Sequence, residues 1–262
     1  MGPLVMGVLN VTPDSFSDGG RWFDRERAIA HGRRMVAEGA DVVDVGGEST
    51  RPGADPVDEA EERRRVVPVV EALAPIVRVS VDTRKAGVAE AAVAAGATLV
   101  NDVSASLHEV AAATGAGWVA MHMLGDPRTM QQAPRYDDVV AEVRDLLVER
   151  AEAARAAGVT EVWIDPGIGF GKTVEHNLRL LAELPTLVAT GFPVVVGTSR
   201  KSTLGRLLAR SDGRPEEDGP VPVDDRLEGS VATAVWAMLK GAAMVRAHDV
   251  LPTVQAAKVV VA

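Results

Sequence analysis

The 262-residue chain contains no cysteine, which excludes disulfides, thiolate metal sites and a thiol nucleophile. It also lacks an apolar run as long as a membrane span, and no secretory signal precedes its first apolar segment. Basic residues are outnumbered, 28 against 37 acidic ones, so no basic stripe is available for nucleic acid or an anionic membrane. These absences predict a cytoplasmic protein that binds neither nucleic acid nor membrane.

Lysine and histidine are scarce, with five of each. The histidines show no metal-ligand spacing and have no cysteine partners, so a histidine-rich metal site is not expected. His122 and His176 follow motifs, and each is either a support for a site or an ordinary structural residue. Lys172 and Lys201 lie beside glycine- or serine-rich strand ends, which makes them candidates for function.

Eight short apolar segments, rich in β-branched residues, alternate with helical patterns along the chain. Continuously apolar strands of this kind are typical of a parallel sheet covered by helices on its faces. The predicted strands are Val5–Val8, Val42–Val45, Val77–Val81, Thr98–Val100, Trp118–Met121, Val162–Ile164, Val194–Val196 and Met244–Val245.

The clearest helical patterns cover Asp24–Glu38, Asp58–Leu73 and Asp137–Ala157. Asp24 and Asp58 are the expected N-caps of the first two, and Gly39 and Gly158 follow the first and third. A different composition marks Ser211–Asp225, which is acidic and rich in Pro and Gly, and which reads as a mobile surface loop.

Nearly every predicted strand leads to a polar residue suited to chemistry. A closed parallel barrel brings the carboxyl ends of all its strands onto one rim, whereas an open doubly wound sheet gathers ligands at one crevice. The pattern therefore predicts a single-domain (α/β)8 TIM barrel over residues 1–262, with flexible active-site loops at its carboxyl-terminal face. One competing motif fails, because Pro166 stands where a P-loop at 166–173 would require glycine.

The polar strand ends form two chemical groups. Asp82, Asn101 and Asp165 suit the edge of a heterocycle such as an aminopyrimidinone, whose adjacent N–H and NH2 donors match carboxylate and amide oxygens. Any one of them alone is also explained by helix capping or loop hydrogen bonding. The three together favour a heterocycle site.

The second group is cationic. Arg51, Arg246 and His248 come together only if the barrel closes, where guanidinium and imidazole donors suit a diphosphate. The amide oxygen of Asn10 suits a hard cation such as Mg2+. A heterocycle beside a diphosphate indicates displacement at the carbon that joins them, which is a group transfer.

Two segments, Gly7–Gly20 and Asp44–Ala54, closely resemble the bacterial dihydropteroate synthase family. The resemblance recurs in order along the whole chain. The further matching segments are Ser80–Thr83, Asn101–Val103, Met121–Met123, Asp165–Lys172, Ser199–Lys201 and Arg246–Asp249.

The resemblance implies a TIM barrel that condenses 6-hydroxymethyl-7,8-dihydropterin diphosphate with 4-aminobenzoate, giving 7,8-dihydropteroate and diphosphate in folate biosynthesis. It implies Mg2+ as cofactor, sulfonamides as inhibitors and a homodimer built on the later helices. Two alternatives share the pterin-binding barrel: a methyltetrahydrofolate-corrinoid methyltransferase and a catalytically silent paralogue. The methyltransferase has no use for a diphosphate site, and a mere pterin binder does not need the two intact motifs at the first strand ends.

Site residues also follow from the resemblance. The pterin set is Asp82, Asn101, Val103, Met121, Asp165, Phe170, Lys201 and Arg246. The diphosphate set is Asn10, Thr50, Arg51, Arg246 and His248, with Asn10 also the metal ligand. The aminobenzoate set is Phe16, Thr50, Pro52, Lys201 and Ser202. Catalysis is expected from Asp82, Lys201, Arg246 and His248.

Overall fold

A computed structural model describes residues 2–12, 21–49, 56–126 and 129–262. Its strands are β1 (Leu4–Asn10), β2 (Val42–Gly46), β3 (Arg78–Asp82), β4 (Leu99–Asp102), β5 (Gly117–Met121), β6 (Val162–Asp165), β7 (Val195–Val196) and β8 (Met244–Ala247). Its helices are α1 (Arg21–Ala37), α2 (Glu59–Leu73), α3 (Ala86–Ala94), α4 (His108–Thr114), α5 (Val139–Ala156), α6 (Val174–Ala182), α7 (Leu184–Val188), α8 (Ser202–Ser211), α9 (Leu227–Leu239) and α10 (Val250–Val260).

The eight strands are parallel and lie in the order β6-β5-β4-β3-β2-β1-β8-β7. A parallel bridge between Ile164 and Val194 joins the two ends of this sheet, and the Ile164 N–H donates to the Pro193 carbonyl at 3.0 Å. The sheet is therefore a barrel, and the predicted (α/β)8 fold is confirmed. Its carboxyl-terminal strand ends share one rim.

The lower half of the barrel interior is apolar. One buried cluster contains a residue from seven of the eight strands: Met6, Val42, Leu99, Val119, Trp163, Val195 and Met244. Because strand side chains repeat with a period of two, the residue two places further along points to the same interior. That step leads from Leu99 to Asn101, from Trp163 to Asp165 and from Met244 to Arg246. The polar side chains of the rim therefore lie next to the apolar cluster, on its carboxyl-terminal side.

Several strands extend further than the sequence predicts. Asn10, Asp82 and Asp165 are the last residues of their strands rather than the first residues of loops. Pairing with neighbouring strands explains the extension, since Asp82 pairs with Asn101 and Asn10 with Gly46. The sheet therefore fixes the backbone positions of these polar residues, which loop conformation alone would leave free.

The helix ends match the sequence prediction in part. The Asp58 carboxylate caps α2 by accepting the Glu61 N–H at 2.8 Å, as predicted. The expected cap at Asp24 is wrong, because Asp24 lies inside α1, which already includes Arg21. Gly39 and Gly158 end their helices with φ of 99° and 102°.

The segment Ser211–Asp225 is only partly the surface loop that its composition predicts. It contains two short 3-10 helices, Glu216–Asp218 and Val223–Asp225. Val221 is buried, and its N–H donates to the carbonyl of Gly205 in α8 at 3.0 Å. The segment is thus attached to the barrel at Val221. Within the described ranges, no helix is long and apolar enough to cross a membrane.

Candidate active site

Asp44 is the centre of the rim, although no role had been assigned to it from the sequence. Its Oδ2 accepts from Arg246 Nε at 2.7 Å and from Asn101 Nδ2 at 2.9 Å. Arg246 also donates from Nη2 to Asp82 Oδ2 at 2.7 Å. Residues from β2, β3, β4 and β8 are thereby joined across the barrel in one network.

This network is charged and incompletely satisfied. Asp44 is fully buried, and its Oδ1 has no hydrogen-bond partner in the described part of the chain. Burial raises the pKa of Asp82 to about 7; Arg246 opposes this rise and the nearby Asp44 charge adds to it. Burial also opposes the charge of Arg246, but the carboxylates of Asp44 and Asp82 outweigh that effect and raise its pKa. Two carboxylates therefore share one partly buried guanidinium.

Asp165 lies at the end of β6, where its Oδ1 accepts from the Gly167 N–H at 2.7 Å. Burial raises the pKa of this carboxyl group, opposed chiefly by the charge of Lys201. Gly167 has a φ of 62°, and a Cβ there would stand 1.9 Å from the His122 carbonyl oxygen. Only glycine fits this close approach between the ends of β5 and β6.

Lys172 is a buried support of the same loop. Its ammonium group donates to His122 Nδ1 at 2.9 Å and to the carbonyls of Gly167 and Phe170 at 3.1 and 3.0 Å. Burial lowers the pKa of Lys172 to about 7 and that of His122 to about 3, so the imidazole is a neutral acceptor. Of the two histidines left open by the sequence, His122 supports the site, whereas His176 closes a capping box at α6.

Lys201 approaches the site from the end of β7. Its Nζ lies 4.7 Å from the centre of the Phe170 ring and donates to the Ile168 carbonyl. Burial lowers the pKa of Lys201 to about 8, with the Asp165 charge opposing. Ser202, also predicted in the site, is the exposed first residue of α8.

Two residues of the predicted diphosphate set lie at neighbouring strand ends. Asn10 is the last residue of β1, and His248 directly follows β8. The backbone N–H of His248 donates to Ser199 Oγ at 3.0 Å, and its Nδ1 lies 3.1 Å from the same oxygen. A Cβ on Gly46 would lie 3.8 Å from Asn10 Oδ1 and 3.7 Å from Asp82 Oδ2. Gly46 therefore lies within van der Waals distance of both Asn10 and Asp82 on the rim.

The structure thus gathers most predicted site residues at one end of the barrel. Val103 and Met121 are buried beside the strand ends. The predicted residues Phe16, Thr50, Arg51 and Pro52 lie outside the described residues. The sequence marks Asp44 as one of the polar residues at the strand ends, and its place two residues after the interior residue Val42 puts it on the same side of β2.

Known proteins resemble this chain in both sequence and structure. Residues 6–248 match the family described as pterin binding enzyme. The dihydropteroate synthase of Mycobacterium leprae is 50% identical over 98% of this chain and 92% of its own length. The Yersinia pestis dihydropteroate synthase, solved with a sulfonamide drug complex, superposes with a TM-score of 0.89 at 46% identity, covering 99% of this chain and 93% of that one.

The Xanthomonas albilineans dihydropteroate synthase with 4-aminobenzoic acid gives a TM-score of 0.88 at 48% identity, covering 98% of this chain and 92% of that one. All three proteins carry the synthase name, which favours this activity over the corrinoid methyltransferase and over an inactive paralogue. The chain belongs to the pterin-binding enzyme family, and within it to the dihydropteroate synthases, which are transferases of folate biosynthesis.

Proposed function

We propose that the rim residues divide the dihydropteroate synthase reaction between a pterin half and a diphosphate half, joined by Arg246. The observation that carries this division is the contact of Arg246 with both Asp44 and Asp82, at 2.7 Å each. The substrate, 6-hydroxymethyl-7,8-dihydropterin diphosphate, spans both halves, and 4-aminobenzoate enters from the open side of the rim.

The pterin half of the rim consists of hydrogen-bond acceptors next to the apolar cluster of the barrel interior. Asp82, Asn101 and Asp165 supply oxygens for the N–H and NH2 groups of the ring, and Lys201 supplies a donor for its carbonyl. Val103, Met121 and Phe170 line the slot, and Arg246 stacks on the ring face. Asp44 supports this assignment, because its hydrogen bonds from Asn101 Nδ2 and Arg246 Nε orient both side chains in this half of the rim.

The diphosphate half takes Asn10, Arg246 and His248, together with Thr50 and Arg51. Within the described ranges, no group of three or more His, Cys, Asp or Glu could hold a metal ion. Asn10 would hold Mg2+ through its amide oxygen, a hard ligand of the kind that this cation prefers. When bound, Mg2+ neutralises charge on the leaving diphosphate.

The chemistry needs charge stabilisation more than a strong base. The bond between the pterin methylene carbon and the diphosphate oxygen breaks, and its electron pair leaves with the diphosphate. Asp82 stabilises the positive charge left on the methylene and ring, while Arg246 and His248 stabilise the leaving group. The aniline nitrogen, already a competent nucleophile, then forms the new C–N bond with its lone pair and releases one proton to solvent, so no activated protein nucleophile is required.

The 4-aminobenzoate pocket is assigned to Phe16, Thr50, Pro52, Lys201 and Ser202. Lys201 lies over Phe170 at the boundary with the pterin slot, which supports a shared role. A sulfonamide carries the same aniline ring and is expected to compete with 4-aminobenzoate. Inhibition competitive with the pterin substrate instead would contradict this placement.

We further propose that residues 1–262 form one domain, and that the protein is a cytoplasmic homodimer. Trp236 and Leu239 on α9 are 48% and 68% exposed, an apolar pair consistent with an interface on the later helices. Sedimentation equilibrium at micromolar concentration tests the dimer.

The proposed role of Lys201 is tested directly by an activity assay. Purified protein is mixed with both substrates and Mg2+, and dihydropteroate and diphosphate are measured. Lys201→Ala is expected to lower turnover by about 100-fold or more, typical of losing a preorganised charged donor. Lys258→Ala is the matched control, because Lys258 is exposed on α10. Near-normal turnover in Lys201→Ala would remove Lys201 from the site.

A further inference from the structure

Arg200, the residue before Lys201, has an unusual backbone. Its φ is 58°, in the left-handed region that residues other than glycine rarely adopt. This conformation turns the chain at the end of β7 and directs Lys201 toward Phe170 and the Ile168 carbonyl. A strained conformation persists only where surrounding contacts determine it, so the contacts of Arg200 are informative.

Two side chains hold both backbone groups of Arg200. Its N–H donates to Ser230 Oγ at 3.0 Å, and its carbonyl accepts from Arg226 Nη1 at 2.8 Å. Ser230 Oγ in turn donates to the Arg226 carbonyl at 2.6 Å. The Arg200 side chain is fixed separately by paired contacts with Asp249 at 2.9 and 2.6 Å.

Arg226 is buried, with 6% of its surface exposed. Its other contacts are also with a backbone carbonyl, because Nε and Nη2 both donate to the Val221 carbonyl oxygen, at 2.8 and 2.5 Å. It forms no ion pair with a carboxylate in the described part of the chain, and burial lowers its pKa. A buried guanidinium without a counter-ion contributes little to the stability of the fold, because removing its charge from water is costly. The contacts of Arg226 indicate instead that it positions the backbone of Arg200.

The helix that carries Lys201 at its N-cap is shaped around Arg226. A Cβ on Gly205 of α8 would stand 2.6 Å from Arg226 Nε and 2.8 Å from the Val221 carbonyl oxygen. Glycine inside a helix is otherwise unfavourable. Its presence here makes room for the guanidinium between α8, Val221 and Arg200.

We propose that Arg226 is a positioning residue, which holds the left-handed backbone of Arg200 and thereby directs Lys201 into the substrate site. Arg226 touches no proposed substrate position itself. The inference depends on the role assigned to Lys201 under the proposed function. In the acidic segment Ser211–Asp225, only Val221 takes part in this arrangement, because its carbonyl accepts from Arg226.

A double-mutant cycle tests this route. Arg226→Gln is expected to lower kcat/KM by about tenfold or more, as is usual when a supporting contact of a site residue is lost. In a Lys201→Ala background the same substitution is expected to change kcat/KM by less than about threefold, since residues acting through one another are not additive. A general loss of structure would instead reduce activity equally in both backgrounds.

Two further variants keep the test decisive. Gly205→Ala displaces the guanidinium from the side of α8, although alanine is the better helix former, and it is expected to reproduce the same pattern. If Arg226→Gln does not fold, the cycle is run with Gly205→Ala. Arg206→Gln, exposed on α8, is the control and is expected to retain full activity.

The outcomes separate two failures. A harmless Lys201→Ala would refute the proposed role of Lys201, and with it the inference. A large effect of Lys201→Ala combined with equal losses in both backgrounds would overturn the inference alone. So would unchanged activity in folded Arg226→Gln, or a loss of the same size in the Arg206→Gln control.

Discussion

In the described part of the protein, two networks each contain two carboxylates that share one cation, and they differ in how completely their hydrogen-bond acceptors are satisfied. Inside the rim, Asp44 and Asp82 share Arg246, and Asp44 Oδ1 has no partner in the described ranges. Outside the barrel, Glu48 and Glu62 share Lys85. Both networks lie near the carboxyl ends of β2 and β3, so location alone does not explain the difference.

The outer network satisfies its carboxylates. Glu62 also accepts from Thr83 Oγ1 at 2.7 Å, and Glu48 accepts from Arg84 at 2.9 Å. Burial alone would raise the pKa of Glu48, but the hydrogen bonds from Lys85 and Arg84 outweigh it and lower the pKa. The pKa of Asp82 in the rim is instead raised. We therefore expect the outer network to stabilise the fold and the rim network to serve substrate binding.

The largest expected effect is on activity in the rim. Asp82→Asn keeps the shape of the side chain but removes the charge that stabilises the cationic pterin, and it is expected to lower kcat by about 100- to 1,000-fold. Its thermal unfolding midpoint is expected to stay the same or rise, because a crowded negative charge is removed. Glu62→Gln, the matched change in the outer network, is expected to reverse this order of effects. Similar losses of activity in both variants would break the comparison.

The second effect is on stability in the outer network. Lys85→Met leaves two buried carboxylates without their shared cation, and about 3 kcal/mol of unfolding free energy is expected to be lost. Urea denaturation measures this loss, with the exposed Lys258→Met as control. Turnover per folded molecule is expected to change less than for Asp82→Asn. A stability unchanged from the parent protein would show that the outer network does not support the fold.

The third effect is a change in pH dependence. Asp82 acts as a carboxylate and its pKa is raised to about 7, so kcat/KM for the pterin substrate is expected to fall as pH decreases through that value. The negative charge of Asp44 contributes to this raised pKa. Asp44→Asn is therefore expected to move the acidic limb of the rate profile to lower pH. A limb that stays in place or moves upward would contradict the coupling.

The smallest effect is expected from the exposed part of the acidic segment. Replacing residues 212–219 with a short Gly-Ser linker removes no contact with the rim networks, and kcat and KM are expected to change by less than about twofold. Including Val221 in the replacement is expected to cost activity, because Val221 holds Arg226. A large loss from the shorter replacement in folded protein would show that the segment reaches the site.

Much of this architecture was predictable because barrel formation depends on local patterns. Eight apolar segments of strand length, separated by helices, predict the closed sheet, and the polar residue after each predicts the rim. Strand ends were underestimated at Asn10 and Asp165, because pairing with neighbours extends a strand beyond its apolar residues. The N-cap at Asp24 was misplaced, since aspartate is typical of N-caps but is not confined to them, and Asp24 lies inside α1.

The sequence by itself determined the barrel fold and showed that the polar residues lie at the carboxyl-terminal ends of its strands. It also carried the motifs that identify the family. The tertiary structure decided which side chains meet. Arg246 contacts Asp44 across 202 residues, and Arg226 holds Arg200 across 26. No local pattern encodes such pairs, because each distance is set only when the sheet closes and the helices pack around it. Closure also buries Lys172 and most of Asp82, and the loss of solvent then shifts their pKa values.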